Sequence, residues 1–163
     1  MTTSGGAFSL TSPELAASAP IAPHHYLDSF GCSGDNRRPV LEWHNPPAGT
    51  RSFALTFYDE DAPTGSGFWH WVAYDIPASA ERMPSGALPA GAKEANSDFG
   101  KPGYFGPCPP PGREHRYTFN IHALDTAALD VPDNATGALA GFFIYKHTLA
   151  RATFTVKAGP RPA

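Results

Sequence analysis

Three short polar clusters beside apolar stretches hold the residues best suited to chemistry. They are the acidic run Asp59–Asp61, the single His70 between two tryptophans, and His115-Arg116-Tyr117 directly after a Pro/Gly-rich segment. Imidazoles and a tyrosine hydroxyl can donate hydrogen bonds to an anion, and the main chain at glycines can approach it closely. If the strands that carry these clusters are neighbours, their ends converge on one pocket, and phosphate is a ligand of suitable chemistry.

Each cluster also has a purely structural interpretation. His70 could be a buried histidine whose ring is satisfied by a main-chain carbonyl. Asp59 and Asp61 are typical turn formers, and Tyr117 could be a core tyrosine with its hydroxyl at the surface. The residues alone leave these alternatives open.

An enzyme is the competing function class. Asp59, His70 and His115 have the composition of a metal site with two histidines and one carboxylate, or of acid/base partners in a hydrolase. No nucleophile elbow, H-E-x-x-H motif or phosphate-binding P-loop accompanies them. We therefore expect a binding protein rather than an enzyme, without catalytic residues, metal or cofactor.

Composition favours a mainly β fold in one domain. The chain has 163 residues, of which 18 are Pro and 16 are Gly, and this content breaks long helices and favours short strands joined by turns. Alternating or continuous apolar runs predict strands at residues 7–12, 40–43, 52–58, 68–76, 116–124 and 152–157. Residues 132–149 predict a capped helix, and residues 84–114 a long loop without ladder or helix.

Charge and cysteine content exclude several partners. The net charge is −3 and no basic run interleaves with aromatics, so nucleic acid is not an expected partner. Residues 1–20 lack the pattern of a signal peptide, and no apolar run approaches ~18 residues, so we expect a cytoplasmic protein that does not span a membrane.

For Cys32 and Cys108 this context makes a disulfide improbable. The remaining histidines match no ligand spacing and are interpreted as structural: His24, His25, His44, His122 and His147.

Two long motifs resemble those of a known family. Residues 59–72 are similar to the D-P-D-A-P motif and the following F-W-H-W strand of the phosphatidylethanolamine-binding proteins, and residues 106–119 to their G-P-P-P-G-x-x-H-R-Y-x-F motif. Residues 39–52 and 141–150 carry weaker similarity, so the resemblance spans about residues 7–157. It is closest to the bacterial Raf kinase inhibitor-like branch. Glu60 departs from the family pattern, which usually has proline there.

The resemblance implies a fold and a site. The fold would have a large central antiparallel or mixed sheet, a smaller second sheet and one or two peripheral helices. An anion pocket would lie at one end of the large sheet, with Arg116 facing away from it, and its residues would be Asp59, Asp61, Pro63, His70, Gly106, Pro107, His115 and Tyr117.

The implied function is binding of a small anion or a phospholipid headgroup, such as phosphate or phosphoethanolamine. A third function class, also implied by the family name, is a regulator that acts on a protein partner such as a kinase or a protease. The resemblance leaves a homodimer open.

Overall fold

The computed structural model describes residues 7–161 and contains two antiparallel sheets. The larger has five strands in the order β6-β4-β3-β7-β8, and the smaller has three in the order β1-β2-β5. The strands are β1 Ser9–Thr11, β2 Leu41–His44, β3 Ser52–Asp59, β4 Phe68–Pro77, β5 Arg82–Met83, β6 Lys93–Glu94, β7 His115–Leu124 and β8 Thr148–Ala158. A 3-10 turn at Pro23–His25 and the helix α1 at Gly137–Lys146 complete the elements. The predicted mainly β class, with a large sheet, a smaller one and peripheral helical pieces, is confirmed.

The large sheet is covered on both faces because its central strands are apolar on both. Along β4, Trp71 and Ala73 belong to one apolar cluster, whereas Val72 and Tyr74 belong to a second on the opposite face. This alternation is what the two-residue period of a strand requires. The prediction of a central strand buried on both sides is therefore confirmed for β4.

The helix α1 covers part of the second face. Thr136 caps it by accepting a hydrogen bond from the Leu139 amide, and Ala140 and Ile144 are buried against the sheet. It ends at Lys146, earlier than predicted, because Thr148 already pairs with Leu124 and opens β8. Within residues 7–161, no helix is long and apolar enough to cross a membrane.

Two sequence predictions need correction. The segment 84–114 is mostly loop, but it contains the two-residue strand β6, which pairs with β4 at Ala73 and Tyr74. Cys32 and Cys108 form a disulfide, with an S–S distance of 2.10 Å and Cα atoms 6.0 Å apart. The two loops that carry them are already adjacent, because the Leu27 amide donates to the Pro107 carbonyl at 3.1 Å.

Candidate functional site

The three polar clusters meet at one end of the large sheet. Strand β3 lies between β4 and β7 and is antiparallel to both, so its last residue, Asp59, pairs with Phe68 at the start of β4 and with Tyr117 near the start of β7. The predicted convergence of strand ends is therefore confirmed. A cavity of about 490 Å³ opens there, lined by Leu27, Phe30, Asp59, Ala62, Pro63, Thr64, Phe68, His70, Asp98, Phe99, Cys108, Pro110, His115 and Tyr117.

A buried carboxylate–imidazole pair forms part of the cavity wall. His115 Nδ1 donates to Asp59 Oδ2 at 2.8 Å, and both side chains are almost inaccessible. The second oxygen of Asp59 accepts from the Asp61 amide at 2.9 Å, which fixes the carboxylate. Because the carboxylate holds the Nδ1 proton, His115 presents Nε2 as the ring nitrogen free for a ligand.

His70 is fixed in a similar way by the main chain. Its Nδ1 lies 2.9 Å from the Phe105 carbonyl, which can only accept, so Nδ1 carries the proton. Burial lowers the pKa of His70 below its ordinary value, against smaller opposing effects of that hydrogen bond and of Asp59. His70 is therefore neutral near pH 7 and presents the lone pair of Nε2. The structural interpretation, a buried histidine satisfied by a main-chain carbonyl, is therefore confirmed, and the same residue lines the cavity.

Aromatic rings surround His70 and make the cavity mostly apolar. Tyr117 and Phe99 meet the imidazole edge-on, with ring centroids 5.2 Å and 5.5 Å away, and Phe68 does so at 5.2 Å. Burial, with a smaller contribution from the Asp59 charge, raises the pKa of Tyr117, so its hydroxyl stays protonated and can donate. The site thus combines a few polar groups with an apolar wall, as small-molecule pockets usually do.

Three of the eight predicted site residues lie outside the cavity lining. Asp61 turns outward, where it accepts from the Arg116 amide at 2.7 Å and from the Arg116 side chain at 2.8 Å, and these bonds lower its pKa to about 2. Arg116 therefore faces away from the cavity, as predicted. Gly106 and Pro107 lie in the layer of main chain behind the cavity. A Cβ atom on Gly106 would overlap the His25 carbonyl, and the Pro107 carbonyl accepts a hydrogen bond from the Leu27 amide. The lining contains the other five: Asp59, Pro63, His70, His115 and Tyr117.

Several cavity residues were not predicted from the sequence. Asp98 and Phe99 come from the long loop, and the Asp98 carboxylate is positioned by accepting from the Trp69 amide at 2.8 Å. Phe30, with 74% of its surface exposed, stands at the rim 5.7 Å from the Phe99 ring. The Pro/Gly content of residues 84–114 indicated a functional loop, but no local signal identified these individual side chains.

The cavity lining is not basic. Its lining contains two carboxylates, Asp59 and Asp98, and two imidazoles, but no lysine or arginine. Within residues 7–161, Asp59, His70 and His115 do not bring three ligand atoms close enough for one metal ion; Glu14, His24 and His25 do. The arrangement suits a ligand that offers hydrogen-bonding oxygens and carries little net charge.

Comparisons with known proteins agree on one family. A family model described as phosphatidylethanolamine-binding protein matches residues 17–159. The UPF0098 protein YbhB of Escherichia coli is 45% identical over 152 residues, covering 90% of this chain and 96% of YbhB. The crystal structure of E. coli YbcL, described as a new member of the mammalian PEBP family, superposes with a TM-score of 0.89 at 40% identity and covers 93% of this chain and 97% of YbcL.

A more distant relative carries a lipoprotein name. LppC of Mycobacterium tuberculosis is 38% identical over 132 residues, which cover 80% of this chain and 62% of LppC. The similarity therefore extends to a protein with a different name and additional length.

Proposed function

This chain belongs to the phosphatidylethanolamine-binding protein family, and on that premise we propose that it binds a small phosphorylated ligand, best represented by the phosphoethanolamine headgroup. The ligand would occupy the cavity at the Asp59 end of the large sheet. The protein would act as a binding protein rather than as an enzyme.

The observation that carries the proposal is the pair of oriented imidazoles. His70 and His115 each have Nδ1 occupied, by the Phe105 carbonyl and by Asp59, so each can direct Nε2 at the same cavity. When protonated, both Nε2 atoms become donors, and charge-assisted hydrogen bonds to phosphate oxygens are among the stronger ones. The hydroxyl of Tyr117 supplies a third donor.

A zwitterionic headgroup fits the charges better than bare phosphate. The cavity lacks lysine and arginine, so a dianion would be only partly neutralised there. Asp98 lines the same cavity and can accept from an ammonium group. Phe30, Phe68 and Phe99 offer apolar surface to the hydrocarbon part of a ligand.

The test is a titration with glycerophosphoethanolamine, whose phosphodiester keeps one negative charge across the accessible pH range. We expect His70→Gln and His115→Gln each to weaken binding about tenfold, the usual cost of losing one charge-assisted hydrogen bond. Calorimetry gives the affinity, and NMR of the imidazole signals locates the ligand.

The matched control is His147→Gln, because His147 also pairs with an aspartate, Asp125, but at the opposite end of β7 from the cavity. It should leave affinity unchanged. A wild-type protein that binds neither glycerophosphoethanolamine nor inorganic phosphate would refute the proposal, as would equal losses in His147→Gln and His115→Gln.

A hydrolase is a second candidate, favoured by the buried Asp59–His115 hydrogen bond, which resembles a general-base pair. Among the lining residues the only hydroxyls are on Thr64 and Tyr117, and Cys108 is engaged in a disulfide, so water would have to be the nucleophile. Incubation with phosphomonoesters and phosphodiesters decides between the two: product release that disappears in His115→Gln would favour the enzyme.

Regulation of a protein partner, such as a kinase or a protease, is compatible with the same site. The exposed Phe30 ring at the rim would be a natural contact for a partner that covers the cavity. A pull-down that compares wild type with His115→Ala separates partners that depend on the pocket from those that do not. Sedimentation of the purified chain tests the homodimer.

The cytoplasmic location remains a prediction, and two observations weigh against it. The Cys32–Cys108 disulfide is more typical of oxidising compartments, and one relative, LppC, is named as a lipoprotein. Cell fractionation together with thiol labelling of the protein as isolated would locate it.

A further inference from the structure

A second group of chemistry-bearing side chains lies outside the cavity, in the segment between β1 and β2. Glu14, His24 and His25 each offer one ligand atom, and these three atoms lie within 4.8 Å of one another. Glu14 and His24 are accessible, whereas His25 is buried. The site is open to solvent on one side and built into the protein on the other.

His25 has the features of a prepared metal ligand. Its Nδ1 donates to the Arg37 carbonyl at 2.8 Å, which fixes the tautomer and leaves the lone pair on Nε2. A neutral imidazole is the form that coordinates metal. Within residues 7–161, Nε2 of His25 is the one buried side-chain nitrogen or oxygen without a hydrogen-bond partner. A buried polar atom without a partner is costly and rare, and a bound cation would satisfy it.

Glu14 is held in place by its surroundings. Its Oε1 accepts from the Val40 amide at 2.6 Å, and its amide donates to Ser12 Oγ at 3.1 Å. The other oxygen, Oε2, lies 3.6 Å from Arg37 Nη2, a loose ion pair whose arginine side chain is half exposed. The Arg37 side chain would therefore compete with a cation for the Glu14 carboxylate. It can rotate toward solvent without moving the Arg37 carbonyl that accepts from His25.

We propose that Glu14, His24 and His25 bind a zinc ion, with water as the fourth ligand. Two imidazole nitrogens and one carboxylate oxygen form a set that zinc accepts in tetrahedral geometry, whereas Mg²⁺ and Ca²⁺ favour oxygen ligands alone. The ion would join the chain after β1 to the 3-10 turn. His25 also accepts through its carbonyl from the Tyr104 hydroxyl at 3.0 Å, so the site lies directly behind the loop that backs the cavity.

The test is a zinc titration of the full chain by calorimetry, with bound metal counted after dialysis. Wild type should bind stoichiometric zinc, and Glu14→Gln and His24→Gln should each lower the affinity at least about tenfold. These two positions are exposed, so their variants are expected to fold. Thermal unfolding supplies a second measurement: at the same zinc concentration, the rise in Tm should be smaller for His24→Gln than for wild type.

Three further variants keep the proposal falsifiable. Arg37→Gln should strengthen zinc binding several-fold, because it removes the competing cation and retains the carbonyl that fixes His25. His44→Gln, at an exposed histidine bonded to Thr11, and His70→Gln, in the cavity, should leave zinc binding unchanged. Absence of zinc binding by wild type, unchanged affinity in His24→Gln, or a loss confined to His70→Gln would overturn the proposal without bearing on headgroup binding.

Discussion

His70 and His25 lie in different regions of the molecule but use the same device. Each donates its Nδ1 proton to a main-chain carbonyl, at 2.9 Å and 2.8 Å, and each has its pKa lowered by burial. The surroundings differ: His70 lines a cavity with aromatic walls, whereas Nε2 of His25 is buried without a hydrogen-bond partner, beside an exposed histidine and an exposed glutamate.

The orientation of an imidazole therefore does not by itself determine which ligand it binds. In the cavity there is room for a headgroup, and protonated Nε2 atoms of His70 and His115 would face its phosphate. At the second site the Glu14 carboxylate beside two imidazoles favours a cation that takes the lone pair of a neutral ring. The same side chain thus suits an anion in one region and a metal ion in the other.

Removal of the disulfide should have the largest effect, and it should weaken ligand binding in the cavity but not zinc binding at Glu14, His24 and His25. The bond closes a sequence separation of 76 residues and joins two loops at the cavity, so Cys32→Ala with Cys108→Ala should lower the free energy of unfolding by about 2–4 kcal/mol. Headgroup affinity should fall with it, because Cys108 is in the cavity wall. Zinc affinity should stay the same, since Glu14 and His25 are held by contacts to residues 37–40 that do not involve either cysteine. Denaturant unfolding and paired titrations measure this, and equal losses of both ligands would show that the regions are not independent.

The two sites should also respond to pH in opposite directions. His70 is neutral near pH 7 because its pKa lies below the ordinary 6.5, so anion binding takes up a proton and should tighten as the pH falls below about 6.5. Zinc binding should weaken over the same range, up to about tenfold per pH unit for each proton released, because protons compete for imidazole lone pairs. Titrations of glycerophosphoethanolamine and zinc between pH 5 and 8, in buffers of different ionisation enthalpy, count the protons; parallel trends would contradict the comparison.

The smallest effect is expected at the rim of the cavity. Phe30 is 74% exposed, so Phe30→Ser removes little buried apolar surface and should weaken headgroup binding less than about fivefold. Its effect should grow with acyl chain length if the rim contacts the lipid tail, which titrations with short-chain phosphatidylethanolamines can measure. A loss as large as that of His70→Gln would mean that the ring covers the bound ligand.

Much of the fold could be predicted from local patterns. Strands β3, β4 and β7 were recognisable because their apolar residues alternate or run continuously over eight to ten positions. Strands β5 and β6 were not, because two residues are too short to carry a period and they exist only through pairing with β2 and β4. The start of β8 was missed for a related reason: Thr148 and Leu149 continue the apolar pattern of the helix before them.

The candidate site, like the fold, could be predicted only in part. The residue types at Asp59, His70, His115 and Tyr117, their motifs and their places at strand ends follow from the sequence alone. Side-chain direction beyond the strand ends does not: Asp61 turns outward because Arg116 neutralises it, and Asp98 enters the cavity because the Trp69 amide positions it. Neither partner is adjacent in sequence.

The class of fold, the family and the polar groups at one end of the sheet could therefore be inferred from the amino-acid sequence, since these depend on periodicity and on residues that adjacent strands bring together. The bond between Cys32 and Cys108 and the hydrogen bond from His25 to the Arg37 carbonyl became visible only in the folded chain. Both depend on contacts between loop residues, where no periodic constraint relates sequence spacing to distance in space.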